Sequence, residues 1–298
     1  MIKRNTYDIS IIIPTYNRSE LLSYTLNSLV KQNIEREKFE VIIADDGSTD
    51  NTKELIADYE NLINIEYVFQ QDLGYRPASA RNKGLAAAKG TVCLFIDSGI
   101  ILHPDSIRHH INFFRNGNGK KAAVGYVYGF DHTDGDETFL KSLISPLDPK
   151  LSIERIQNYD QYKDIREKQY LKYCDNIESL PAPWFYFWTC HVSAMRSDLI
   201  NVGAFDEKYD GRWGVEDQDL GLRLQQDGVK ICLLRSAVSI HYPHNKNKAD
   251  RHMEGYQNCQ YFHSKFNTIE TGIYLEIYKR PYLVDINEIS LRKRDLTL

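Results

Sequence analysis

Three apolar runs, at residues 9–13, 41–44 and 92–96, each stop at a polar turn, and the stretches between them carry apolar residues at helical spacing. The first run is interrupted only by Ser10 and closed by Pro14, which is how a strand covered on both faces reads. After it Ser19 offers an N-cap, and Leu22, Leu26, Leu29 and Val30 fall on one helical face. The alternation continues with a strand at 41–44, a helix at 52–59, a strand at 65–69, a helix at 78–88 and a strand at 92–96. Such βαβ succession predicts an α/β domain with a parallel sheet and right-handed crossovers. Ligands of that architecture sit beyond the strand C-termini, so Thr15, Asp45, Asp46 and Asp97 are expected to meet at one edge.

With 298 residues and 42% hydrophobic content, the chain has enough apolar surface for one α/β domain with an elaborated second half. Residues 131–180 are polar, with tyrosines interspersed, and read as a helical or irregular insertion. Regular structure resumes in the aromatic run 184–188, read as a strand, then a helix at 216–226 and strands at 230–234 and 237–240. The tail beyond His252, with Tyr256, Tyr261 and Phe262, reads as a helix packed back on the domain. A net charge of −4 gives no global field to attract nucleic acid. Five cysteines without a C-x-x-C pair point to a reducing cytoplasm. The opening residues Met1–Thr6 have no apolar stretch behind them, and the longest apolar runs are too short to span a bilayer, which leaves at most peripheral membrane contact.

Several polar clusters have the right chemistry for a site, each beside a plainer structural reading. The second carboxylate of Asp45-Asp46 can accept an N–H from a base, whereas Asp-Gly-Ser-Thr-Asp is also good turn and capping chemistry. Arg76, Arg81, Asn82 and Lys83 open a helix and can meet a pyrophosphate, or form a solvated basic face. Asp97-Ser98-Gly99 closes the strand at 92–96 with a single carboxylate, and His241 and His244 follow another apolar strand. Glu216, Asp217 and Asp219 sit in the first turn of a helix, where the macrodipole favours carboxylates. Trp213-Gly214 before them, and Trp184 and Trp188, offer ring faces to a sugar, although alternation places about half of the 184–188 aromatics in the core. No G-x-G-x-x-G follows the first strand, which argues against a dinucleotide oxidoreductase.

Taken in order, Ile11-Ile12-Ile13-Pro14-Thr15-Tyr16-Asn17-Arg18, Asp45-Asp46-Gly47-Ser48, Gly74-Tyr75-Arg76 with Arg81-Asn82-Lys83-Gly84, Asp97-Ser98-Gly99, Trp213-Gly214-Val215-Glu216-Asp217 and His241-Tyr242-Pro243-His244 make the chain resemble the family-2 glycosyltransferases. The branch resembled has a galactosyltransferase-like C-terminal segment. That resemblance implies a GT-A fold, with a Rossmann-like, mostly parallel nucleotide-sugar-binding half at 1–130, an acceptor-binding and catalytic half of the same domain at 131–250, and a helical tail at 251–298. It implies hexosyl transfer from a UDP-sugar to an acceptor hydroxyl with inversion at the anomeric carbon, the alternative being a nucleotide-sugar-binding protein with little or no transfer. On the same footing, the Pro14-Thr15-Tyr16 turn lines the nucleoside and Asp46 binds its base, Arg76 and Arg81 contact the nucleotide with Arg18 and Ser98 as further nucleotide-binding residues, Asp97 meets the metal or the ribose, and Asp217 is the catalytic base with Glu216 a hydrogen-bond partner of acceptor or sugar. Relatives carry D-x-D where Gly99 stands, so a manganese or magnesium ion is expected on Asp97 with His241 and His244 supplying the missing donors. The acceptor is left open among glycan, lipid-linked glycan, small molecule and peptide.

Overall fold

The computed structural model describes residues 7–116, 119–130, 136–244, 248–278 and 284–295; Met1–Thr6 lies outside them. The chain begins β1 (Ile9–Thr15), α1 (Ser19–Val30), β2 (Phe39–Asp45), α2 (Thr52–Ala57), β3 (Ile65–Phe69), α3 (Pro77–Ala87) and β4 (Val92–Ile96). Every element of the expected alternation is present, displaced by a residue or two at its ends. There follow β5 (Ile100–Leu102), α4 (Ser106–Arg115) and β6 (Lys121–Tyr128). The polar middle folds as α5 (Glu137–Leu143), α6 (Pro149–Ile156) and α7 (Glu167–Lys172). Then come β7 (His191–Met195), α8 (Arg196–Asn201), α9 (Glu216–Gln226) and β8 (Lys230–His241), and the tail forms α10 (Lys248–Phe266), α11 (Ile269–Ile277) and α12 (Ile286–Asp295).

Among the described residues one eight-stranded sheet runs in the order β3-β2-β1-β4-β7-β6-β8-β5. The first four strands are parallel as expected, and β6 pairs with β8 in parallel. Around β7 and at β5 the pairing turns antiparallel, so the sheet is mixed with parallel pairs in the majority. Strands 230–234 and 237–240 join into β8, with an irregularity in its register opposite Gly125 and Tyr126. Side chains alternate between two cores. Ile9, Ile11, Ile13, Val41, Ile43 and Leu94 pack under α1, α2 and α4. Ile12, Ile42, Cys93 and Phe95 face the opposite core, built with α3, α9 and the tail helices. Strands buried on both faces explain why the sequence reads as continuous apolar runs.

Two local readings are corrected. Ser19 is the first residue of α1 and does not cap it with its side chain; its backbone N–H donates instead to Asp50 Oδ2 at 3.0 Å, so the cap comes from the β2–α2 loop. Residues 184–188 do not form a strand. Pro183 opens a 3-10 turn, Pro183–Tyr186, since a proline cannot donate to a sheet ladder, and all five aromatics are buried. No helix among the described residues is long and apolar enough to cross a membrane.

Candidate active site

The strand order reverses between β1 and β4, and the crevice beyond their C-terminal ends is the place where an α/β sheet receives a ligand. A cleft of about 1320 Å³ opens there. Pro14, Thr15, Tyr16, Arg18, Asp46, Arg81, Asp97 and Ser98 line it from the first half, and Trp188, Trp213, Gly214, Glu216, Asp217, His241 and His244 from the second. Arg76 and Trp184 are the exceptions. The Arg76 guanidinium turns onto the Gln71 carbonyl and lies 3.3 Å from Asp46 Oδ1, so it braces Asp46 and does not reach the cleft wall. Trp184 is rotated by the 3-10 turn into the core, edge-on to Phe262 and Tyr274. The Pro181-Ala182-Pro183 stretch is the sequence signal that could have found this turn.

At one end the carboxylates of Asp45 and Asp46 divide their work. Asp45 Oδ1 accepts the backbone N–H groups of Gly47 at 3.1 Å and Ser48 at 2.8 Å, and Oδ2 accepts the Tyr67 hydroxyl at 2.8 Å, so Asp45 builds the turn. Asp46 faces the cleft. Its Oδ1 accepts from Gln70 Nε2 at 2.5 Å and its Oδ2 from the Arg76 backbone N–H at 2.7 Å, which fixes the carboxylate and leaves lone pairs for an incoming N–H. Tyr16 stands at the rim, its hydroxyl donating to Asp72 Oδ2 at 2.8 Å. Ser98 Oγ donates to the Pro14 carbonyl at 3.1 Å and ties the two strand ends together.

The acidic centre is organised by Arg81. This buried guanidinium donates through Nη1 to Glu216 Oε1 at 2.9 Å and through Nη2 to Asp97 Oδ1 at 3.1 Å, joining α3, α9 and the end of β4. Burial opposes its charge, but the Asp97 and Glu216 carboxylates hold its pKa above the usual value. Asp217 is the group whose protonation is displaced: burial, then the neighbouring Glu216 carboxylate, push its pKa well above the carboxylate range. Its Oδ2 accepts the Thr189 N–H at 3.3 Å and its Oδ1 the Gln218 N–H at 2.9 Å, a backbone frame that aims the carboxyl into the cleft. Asp219 plays a different part, fully buried and bonded to Arg223, Tyr209 and Lys265. Sequence reading missed Phe130, Thr189, Tyr274 and Tyr278 as lining residues, and nothing in the local pattern of the tail announces that α11 returns to this cleft.

The expected cation donors are gathered but not free. His241 and His244 stack at 5.1 Å between ring centroids, and the Tyr242 N–H donates to the Gly99 carbonyl at 2.9 Å, so β8 does bring both imidazoles to the Asp97 turn. Arg18 Nη1 donates to His244 Nε2 at 3.1 Å while His244 Nδ1 donates to the Tyr242 carbonyl at 3.1 Å, which makes His244 a neutral Nδ1–H tautomer. Asp97 faces Arg81. Among the described residues no three His, Cys, Asp or Glu side chains converge to hold a metal ion. Gly99 is also more than a missing carboxylate: its φ of 98° at the entry to β5 strains any side chain placed there. His191, beside the cleft, is structural. Its Nδ1 pairs with Ser239 Oγ at 2.8 Å and its Nε2 with His110 Nε2 at 3.0 Å, and burial holds both rings neutral.

A nucleotide-sized cleft at a switch point, with an aspartate braced at one end and a buried acid pair at the other, is the layout of a GT-A glycosyltransferase. The chain belongs to glycosyl transferase family 2, whose family model matches residues 10–175. A second model, described as the N-terminal domain of galactosyltransferase, matches residues 178–247 and meets the expected likeness of the second half. Validoxylamine A glucosyltransferase of Streptomyces hygroscopicus subsp. jinggangensis is 33% identical over 95% of this chain, which spans 67% of that relative. Among solved structures, Staphylococcus aureus TarS 1–349 in complex with UDP-GlcNAc aligns with TM-score 0.56 at 17% identity, over 86% of this chain and 66% of that one. The mannosyltransferase PcManGT of Pyrobaculum calidifontis, in complex with GDP-Man and Mn2+, aligns with TM-score 0.59 at 17% identity, over 91% and 71%. At such identities these likenesses speak for the fold.

Proposed function

We propose that the protein transfers a hexosyl unit from a UDP-sugar to an acceptor hydroxyl with inversion of the anomeric centre. The observation that carries this reading is the placement of Asp217, a carboxyl with a raised pKa, in the same cleft as the braced Asp46. A base poised to take a proton near neutrality suits direct attack by an acceptor hydroxyl, which inverts the centre in one displacement. Glu216, ion-paired with Arg81, lies beside Asp217 and adds to the rise of its pKa. Trp188, Trp213, Tyr274 and Tyr278 give the acceptor end apolar ring faces, as a sugar or other polyol ring requires. The intact Asp217 frame argues against a mere nucleotide-sugar-binding protein. Five free thiols are in keeping with a cytoplasmic setting.

Arg18, bonded to His244 at the cleft wall, places a planar guanidinium where it suits the leaving diphosphate. A manganese or magnesium ion would arrive with the diphosphate, whose oxygens suit such cations, and meet Asp97 there. One solved likeness carries UDP-GlcNAc and another GDP-Man, so the base is the point to test. In calorimetry with and without manganese, UDP is expected to bind at least tenfold more tightly than GDP or ADP, a difference of about 1.4 kcal/mol. Equal affinity for the three nucleotides would remove uridine from the reading. UDP release over a panel of UDP-sugars then tests transfer itself.

A further inference from the structure

The helix α9 that carries Glu216 and Asp217 starts from an unfavourable backbone. Val215, immediately before it, has φ 77°, a left-handed conformation that a β-branched residue adopts only under constraint, and Gly214 before that has φ 88°. Such a conformation persists when surrounding contacts determine it. From α9 come the Asp219 N–H on the Val215 carbonyl at 3.0 Å and Asp219 Oδ2 on the Tyr209 hydroxyl at 3.0 Å, and α10 adds contacts to four of the loop's carbonyls. Asn258, fully buried, points its side-chain amide into a ring of backbone carbonyls: Gly214 at 2.9 Å, Arg212 at 3.2 Å, Tyr209 at 3.3 Å and Trp213 at 3.5 Å. Only a donor fits there, which assigns the nitrogen to that side. One turn earlier on the same face, Glu254 Oε2 accepts the Trp213 N–H at 3.1 Å. Gly255 between them lets the helix approach: a Cβ there would lie 1.7 Å from the Tyr278 hydroxyl and 3.3 Å from the Trp213 ring.

We propose that Asn258, seconded by Glu254, is a positioning residue for the transfer: it holds the 209–215 loop in its strained form, and thereby sets where Trp213 and the Asp217 carboxyl stand against the acceptor. This rests on the sugar-transfer reading of the cleft. Asn258 touches no cleft surface, so its effect passes entirely through the loop. The loop also touches the segment before the donor end, since the Gly211 N–H donates to the Tyr75 carbonyl at 2.7 Å and Asp210 accepts the Ala78 and Ser79 N–H groups at 2.9 and 3.1 Å, so the larger effect is expected at the acceptor end, where Asn258 holds the carbonyls nearest α9.

The test is Asn258→Asp, isosteric but presenting an acceptor to four carbonyls. Expected is a fall in kcat of about 100-fold, the scale of a misplacement near 1 Å, with a much smaller change in UDP affinity and donor KM. Amide hydrogen exchange in the 209–217 peptide is expected to speed up while the β1 and β4 peptides keep their wild-type rates. Wild-type exchange in that peptide overturns the proposal whatever the activity, and so does wild-type kcat in a variant whose parent transfers sugar. A parent that transfers from no donor, joined to faster exchange in the variant, sinks the transferase reading and leaves the clamp standing. Should Asn258→Asp fail to fold, Glu254→Ala releases the Trp213 N–H at a half-buried position, and the same peptide must exchange faster.

Discussion

Replacing Asp217 by asparagine lowers kcat for transfer by about 100- to 10,000-fold, the range of general-base assistance, while UDP affinity stays at the wild-type level. The amide keeps the shape of the carboxyl and part of its frame from Thr189 and Gln218, but cannot take the acceptor proton. The raised pKa adds two further signs. In the wild type the acidic limb of kcat/KM lies above the ordinary carboxylate range, because the base must first be deprotonated and burial with Glu216 resists this. Between the ordinary and the raised pKa the folded chain keeps a proton that the unfolded chain has released, so the wild type loses stability as pH rises through that window and Asp217→Asn does not. The asparagine variant is therefore expected to unfold at neutral pH no earlier than the wild type. Retained turnover in Asp217→Asn places the base elsewhere.

Arg81→Ala is expected to destabilise the fold by about 3–5 kcal/mol, the cost of stranding a buried charge when its partner is removed. Glu216 is buried and Asp97 partly exposed, so most of that loss falls on the Glu216 side of the fork. Arg81→Lys should recover little, since one ammonium cannot meet two carboxylates from α9 and the β4 turn with the spacing of a planar fork. Urea unfolding at neutral pH measures both, and acidification that protonates the stranded acids should narrow the gap to wild type. A change within about 0.5 kcal/mol, the scale of an ordinary surface substitution, means that Arg81 is not what holds these acids together.

Much of the nucleotide end was legible because it is local in sequence. The runs at 9–13, 41–44 and 92–96 could only be strands buried on both faces, and parallel pairing puts their polar C-terminal turns on one edge, so Thr15, Asp46 and Asp97 had to converge. Glu216-Asp217 at a helix start was equally visible. What a side chain does once it arrives was not. Arg76 and Arg81 look alike as sequence, yet one is drawn to Asp46 and Gln71 and the other bridges Asp97 and Glu216, because the choice of carboxylate depends on where α3 packs against α9 and β4. Trp184 and Trp188 sit four residues apart, and a 3-10 turn buries the first in the core while the second reaches the cleft over Arg166. His244 pairs with Arg18, 226 positions away, which no spacing rule anticipates. Period and turn chemistry determined the strands, the helices and the edge where the polar residues meet; long-range ion pairs, and the return of α10 onto the 209–215 loop, were decided only by tertiary packing, because a charge or an amide has several partners of equal chemistry and only the folded chain selects among them.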